Sequence, residues 1–526
     1  MYASQRRAKL AQLERERADL AHQKDELLAQ AEAIQSDIDD KTEAIASLSP
    51  VYTLPDELVL EVLTIAYQHH FPHCRLDDGL PHTHSPLAIS HVSRWWRHHA
   101  LSLSRIWNCI HLTPQQSEQH VELVKLYVAR SGDRPLSIFL VAYEEEAIHD
   151  ITAALMSEFG TNAWARHRRA WQCLLAHKAR WRHCALYTNS RRQLEAVLKT
   201  MSGQVFPQLE YLAIAGPPSD GRTPQGSNLV LHAPRVTALR ITHALPPRPL
   251  QPFTHITDLT LENTPLHRVR FMECLAKASR TLQRLTLNFI RFYLLDLEAD
   301  AVLPDISLPR LTVLVAEFVR DYNSSCGVVL ALCRDAPALH TLRVSLSQDF
   351  LGGLAAGQLC LPGLRHLLYN GLPMRMGKMP ACPAFFAALP ALETLQVALV
   401  DWAGALQATV RADEHSEFRG LAWPELKTLV FYSLGEAPAL LSFVEHRARM
   451  GRPLRRIVLD DANVCRVSDH ERQQYESYGL KIVGYSQASG AIQFGARALQ
   501  TWWDSEKDRP SFSLWNGEWE FWDQFE

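Results

Sequence analysis

The chain has 526 residues, 47% of them hydrophobic and 21% charged, with a formal net charge of −3. This composition supports large buried cores and roughly three domains at about 150 residues each, and it offers no global basic field for nucleic acid. No apolar run reaches the roughly 18 residues that a membrane-spanning helix needs, no signal-peptide run follows the charged N-terminus, and the ten cysteines include no Cys-x-x-Cys. These features predict reduced thiols in a cytoplasmic or nuclear protein with no membrane partner.

Along the first fifty residues, Leu10, Leu13, Arg17, Leu20, Lys24, Leu27, Ala31, Ile34, Ile38, Lys41, Ile45 and Leu48 alternate by three and four, the heptad spacing of a coiled coil. Arg17, Lys24 and Lys41 interrupt the seam. Such a helix can pair with a second copy, fold back on the body of the chain, or take a partner's helix. Ser49-Pro50 ends it, because proline disfavours α geometry in the residue before it. A new helix then starts near Thr53, with Pro55 suited to its first turn and Asp56 and Glu57 where the helix dipole favours acids. Leu58, Val62 and Ile65 line one face. A second helix is predicted at about 88 to 100, carrying Ile89, Val92 and Trp96 on a stripe, and a short third element ends at Trp107. Three such short helices leave apolar surface for a partner.

The residues Leu54-Pro55-x-Glu57-Leu58, then Val62-Leu63, then Val92-Ser93-x-x-Trp96-Arg97 and Trp107 resemble the F-box family. The resemblance covers about sixty residues and implies docking of a Skp-type adaptor, which links F-box proteins to a cullin–RING ubiquitin ligase. It implies an adaptor-binding set of Leu54, Pro55, Glu57, Leu58, Val62, Leu63, Val92, Trp96 and Trp107. The chain departs from the compact pattern at 68–86, a long insertion that holds His69, His70, His73, Cys74, His82 and His84. That cluster lacks paired cysteines and helical periodicity, and it reads as a solvated loop rather than a zinc site. No metal and no cofactor is expected.

From about residue 180 one pattern recurs, Pro-x-Leu-x-x-Leu-x-Leu. It runs from Pro207 to Ile214, Pro309 to Leu314, Pro337 to Val344, Pro362 to Leu367, Pro390 to Val397, Pro424 to Phe431 and Pro453 to Leu459. Counted from the first aliphatic, copies start at 209, 236, 256, 282, 311, 339, 364, 392, 426 and 454, mostly 25 to 29 residues apart. Earlier copies are indicated at Trp181-x-x-Cys184-x-Leu186 and at Pro135 to Leu140. A period in the twenties with this motif resembles leucine-rich repeats. The asparagine or cysteine usual at the ninth position of that family's repeats is missing, so irregular turns are expected. Segments around Leu194 to Met201, Phe271 to Ala278 and Val329 to Cys333 have the spacing of helices that cover one face of the sheet.

The expected chain is therefore α/β: a coiled-coil helix over 1–49, a three-helix F-box over 50–112, a transition with the first irregular repeats over 113–180, a leucine-rich-repeat solenoid with parallel inner sheet and outer helices over 181–484, and an aromatic, acidic tail or cap over 485–526. In such a solenoid the strand positions between the buried leucines project from the open face. Those columns contain Asp258, Arg284, His366 and Arg456; Arg240, Thr286, Arg343 and Gln396; and Glu262, Asn288, Asn370 and Tyr432. The target-binding candidates among them are Arg240, Asp258, Glu262, Arg284, Asn288, Arg343, His366, Asn370 and Tyr432. Both charge signs occur, which suits a protein target better than a polyanion. No nucleophile elbow, phosphate loop or metal-binding spacing is present, so the expectation is a substrate receptor rather than an enzyme. The alternative is a scaffold without a ligase role.

Overall fold

The computed structural model describes most of residues 2–485. The longer stretches outside the described residues are 71–84, 113–118, 143–159, 217–230, 244–253, 293–305, 346–353, 370–386, 398–405, 414–421, 432–436, 461–466 and 486–526. Asn370, Tyr432, the aromatic tail and all of the histidine-rich cluster beyond His70 lie there. The described chain forms two units, which divide between Trp107 and Asn108.

The first unit is helical. Helix α1 runs over Tyr2–Ser47 and is followed by a 3-10 turn at Pro50–Thr53. Helix α2 (Asp56–His70) begins with Asp56 and Glu57 in its first turn, as its dipole favours. Thr53 belongs to the preceding 3-10 turn rather than to the start of α2. The single helix expected at 88 to 100 is two: α3 (Ser85–Ser90) and α4 (Arg94–Ser102). The break is chemical. The Ser93 side chain caps α4 by accepting from the Trp96 backbone N–H at 3.3 Å, and this requires extended backbone at Ser93. A 3-10 turn, Ser104–Trp107, closes the unit.

The second unit is a parallel sheet of fourteen strands in sequence order, an α/β, solenoid-like arrangement. The strands are β1 (Cys109–Leu112), β2 (Leu136–Ala142), β3 (Trp181–Thr188), β4 (Tyr211–Ala215), β5 (Ala238–Thr242), β6 (Asp258–Glu262) and, set apart, the two-residue β7 (Pro265–Leu266). They continue with β8 (Arg284–Phe292), β9 (Val313–Phe318), β10 (Thr341–Ser345), β11 (His366–Tyr369), β12 (Thr394–Val397), β13 (Thr428–Phe431), β14 (Arg456–Asp460) and β15 (Lys481–Tyr485). The sheet thus starts at Cys109, inside the stretch assigned from sequence to the F-box, and already holds two strands before residue 180.

Helices return the chain between strands: α5 (Gln119–Arg130), α6 (Gly160–Leu175), α7 (Arg191–Met201), α8 (Arg268–Ala278), α9 (Asn323–Arg334), α10 (Ala437–Arg449) and α11 (Asp469–Ser477). Their apolar stripes are buried, as Leu194, Val197, Leu198 and Met201 show for α7. Gly203 and Gly451, with φ of 74° and 75°, follow α7 and α10 and turn the chain out of the helix at an angle that side-chain-bearing residues resist.

All ten aliphatics that open the sequence repeats are buried: Leu209, Val236, Ile256, Leu282, Leu311, Leu339, Leu364, Leu392, Leu426 and Leu454. Burying each contributes on the order of 2 kcal/mol. Just before most strands a backbone N–H reaches the carbonyl of the preceding repeat, as Thr237 does to Glu210 at 2.9 Å and Gln283 to Thr257 at 2.8 Å. Threonine hydroxyls reinforce the stitch, Thr257 donating to the Thr237 carbonyl at 3.2 Å and Thr312 to that of Gln283 at 3.0 Å. These bonds satisfy turn carbonyls without a buried asparagine ladder.

Candidate interaction surfaces

In the first unit α2 carries two apolar stripes. Val59 and Leu63 point inward, 2% and 3% exposed, while Leu58, Val62 and Ile65 on the adjoining face are 53%, 50% and 43% exposed. Three aliphatic side chains at i, i+4 and i+7 form one continuous ridge, which is how an amphipathic helix engages a groove in another protein. Leu54 is half-buried, and Pro55 and Glu57 are exposed. Val92, in the turn before α4, is 59% exposed, and Trp96 is half-buried.

Two of the nine residues assigned to docking face inward instead. Leu63 packs in the module, and Trp107 is fully buried with its indole N–H donating to the Ala100 carbonyl at 2.7 Å. A buried indole with its one donor satisfied is a core residue. It holds Ala100 and Ile106, both fully buried, at the centre of the unit.

The polar contacts that set α4 against the rest were not apparent from the pattern. Tyr52 donates its hydroxyl to Ser93 Oγ at 2.8 Å and stacks on Trp95 with ring centroids 4.6 Å apart. Arg97 Nε donates to the Ser90 carbonyl at 2.9 Å. His99, nearly buried, lies 3.5 Å from the Asp56 carboxylate at the start of α2.

In the second unit the register of the sheet brings the predicted columns together. Asp258 lies beside Arg284, Glu262 beside Asn288, and Arg240 aligns through Thr260 with Thr286. Arg343 and His366 fall on the same open face, at the third and first positions of their strands. The charged members pair with one another. Arg284 meets Asp258 at 3.1 Å, Arg240 meets Glu262 at 2.8 Å, and Arg343 meets Glu317 at 2.5 Å. The Thr242 hydroxyl also donates to Glu262, at 3.3 Å.

Glu317 was not among the sequence candidates. It stands three residues after Leu314, as Glu262 does after Leu259, so continuing the column count one repeat further finds it. Burial alone would lower the pKa of the Arg240 guanidinium, but Glu262, with Tyr187 and Tyr211, outweighs it and raises it. Burial pushes the Tyr211 phenol up to about 12 and His183 down to about 4, the latter helped by Arg182. His183 Nδ1 lies 2.9 Å from Ser137 Oγ. The described acidic and basic members of the open face thus neutralise one another in pairs, while Arg456 donates from Nε to the Thr428 hydroxyl at 2.9 Å.

Among the described residues no group of three or more His, Cys, Asp and Glu side chains is arranged to hold a metal ion, and no helix is long and apolar enough to cross a membrane. Compared with known families and with curated proteins, the sequence matches no family model and no curated sequence.

Proposed function

We propose that this chain is an F-box-type substrate receptor, in which the first unit docks a Skp-type adaptor of a cullin–RING ligase and the open face of the sheet holds a target protein. The observation that carries the reading is the exposed ridge of Leu58, Val62 and Ile65 on a helix whose other apolar stripe is already occupied by its own core. The Leu-Pro-x-Glu-Leu and Val-Ser-x-x-Trp-Arg residues that resemble an F-box surround that ridge in sequence. The adaptor-contacting set is then Leu54, Pro55, Glu57, Leu58, Val62, Val92 and Trp96, with Leu63 and Trp107 supporting them from inside. The receptor contributes no reacting group. It raises the rate by holding the target near a ubiquitin-charged enzyme.

The paired charges on the sheet favour a protein target without strong net charge, since Arg240, Arg284 and Arg343 each already have a carboxylate. Co-purification with a Skp-type adaptor tests the reading. The wild-type chain retains the adaptor, whereas Leu58→Ser with Val62→Ser, and Leu54→Ala with Pro55→Ala, lose it while keeping their helical content. A wild-type chain that retains no adaptor refutes the receptor role and leaves a scaffold.

A further inference from the structure

We propose that α1 assembles the protein by pairing, antiparallel, with α1 of a second copy. Every described side chain from Lys9 to Thr42 is exposed, so among the described residues nothing covers the apolar stripe there, although Asp40, off the stripe, pairs with Arg94 at 3.2 Å. The apolar members of its heptad stripe, from Leu10 to Leu48, are 49% to 84% exposed. A 46-residue helix with such a stripe is stabilised in water by covering it, since propensity alone contributes little.

The three basic interruptions decide both the occupant and its direction. Arg17 and Lys24 take the first apolar position of their heptads and Lys41 the fourth. A parallel, in-register pair would set Arg17 on Arg17, Lys24 on Lys24 and Lys41 on Lys41, three like-charged layers in one seam. An antiparallel pair that matches Leu10 with Lys41 of the second copy also matches Arg17 with Ile34 and Lys24 with Leu27. No basic residue then faces another, and each lays its aliphatic stem against an aliphatic side chain.

The same register brings Glu16 beside Asp37 of the second copy. That repulsion is offset locally, because Arg17 sits next to both and Asp37 already pairs with Lys41 on its own helix at 3.5 Å. The cluster of Glu16, Arg17, Asp37 and Lys41 is neutral overall. Leu28, outside the seam and 51% exposed, gains Ala21 of the second copy as cover. Shifting the alignment by one heptad in one direction sets Arg17 against Lys41 of the second copy, and shifting it by one heptad in the other leaves Ile45 and Leu48 with no facing residue, so this register is favoured over both.

Sedimentation of the full-length chain tests the pairing, and cross-linking tests its direction. The wild-type chain should sediment as a dimer at micromolar concentration, and Leu20→Glu with Ile34→Glu as a monomer whose sheet melts unchanged. Residue 20 faces residue 31 of the second copy, so a mixture of Leu20→Cys and Ala31→Cys chains should form an oxidised cross-link that is absent from wild-type protein and from either variant alone. A wild-type chain that is monomeric overturns the proposal. So does an Ala31→Cys chain that cross-links to itself, which is the signature of parallel pairing.

Discussion

Ser93 joins two jobs in one hydroxyl: it caps α4 through the Trp96 N–H and receives the Tyr52 hydroxyl. Losing the cap costs about 1 kcal/mol, and losing the second bond about another 1 kcal/mol. Ser93→Ala should therefore destabilise the helical unit by about 2 kcal/mol and Tyr52→Phe by about 1 kcal/mol. The double variant should cost less than the sum, because both remove the same bond. Chemical unfolding followed by near-ultraviolet circular dichroism measures this, and strict additivity would contradict it. Trp107 is a larger case. Its truncation to alanine removes a fully buried indole and a satisfied hydrogen bond, and should cost about 3–5 kcal/mol. If Trp107→Ala instead left the melting temperature unchanged and weakened adaptor binding alone, its placement in the core would be wrong.

Among the elements, the sheet owes part of its order to buried ionic groups. Arg240 and Glu262 are mostly buried and bond at 2.8 Å, so removing either alone strands the other. Arg240→Met should cost about 3–5 kcal/mol, and adding Glu262→Gln should recover part of that loss. Arg447, at 0% exposed, donates to the carbonyls of Ala422, Trp423 and Leu426 and of Arg452. These bonds hold Trp423 at a φ of 48°, a conformation a bulky residue enters only at a cost of about 1–3 kcal/mol. Burial lowers the Arg447 pKa to about 10, against the pull of Asp413. Arg447→Met should accordingly free the turn before β13, visible as faster amide exchange at residues 422–426.

Acid should weaken the sheet as well. His183 has its pKa lowered to about 4, first by burial and then by Arg182. An unfolded histidine titrates near 6.5. Between those values the unfolded chain binds a proton that the folded chain refuses, so stability falls as pH drops from about 6.5 to about 4. His243, His340 and His366 are shifted in the same direction, chiefly by burial. Melting temperatures at pH 7, 5.5 and 4.5 should decline in that order, less steeply for His183→Asn. A rise on acidification would contradict this.

At the scale of the whole molecule, the sequence pattern was most legible where one residue type recurs in one environment. The ten opening aliphatics sit in equivalent buried positions because each repeat solves the same packing problem, and their spacing alone located strands β4 to β6 and β8 to β14. Legibility failed where two solutions compete. Helix α2 has apolar residues on adjoining stripes, 58/62/65 and 59/63, and helical periodicity cannot say which one meets its own core. Trp107 looked like a docking aromatic because its burial depends on Ala100, a contact made through tertiary packing. Ser93 split a helix that apolar spacing had joined, since a capping hydroxyl leaves no mark on a hydrophobic pattern. Strand β1 was missed because four residues directly after a tryptophan offer too short an alternation to read.

The account rests on the ridge of α2 being surface meant for another protein. Titration calorimetry of the full-length chain with a Skp-type adaptor, comparing wild type with Leu58→Ala plus Val62→Ala, tests this most directly. Loss of two aliphatic contacts at about 1.5 kcal/mol each predicts an affinity lower by roughly a hundredfold, with the melting temperature unchanged because both side chains already face water. Equal affinity of the two proteins, or no heat of binding from either, would contradict it.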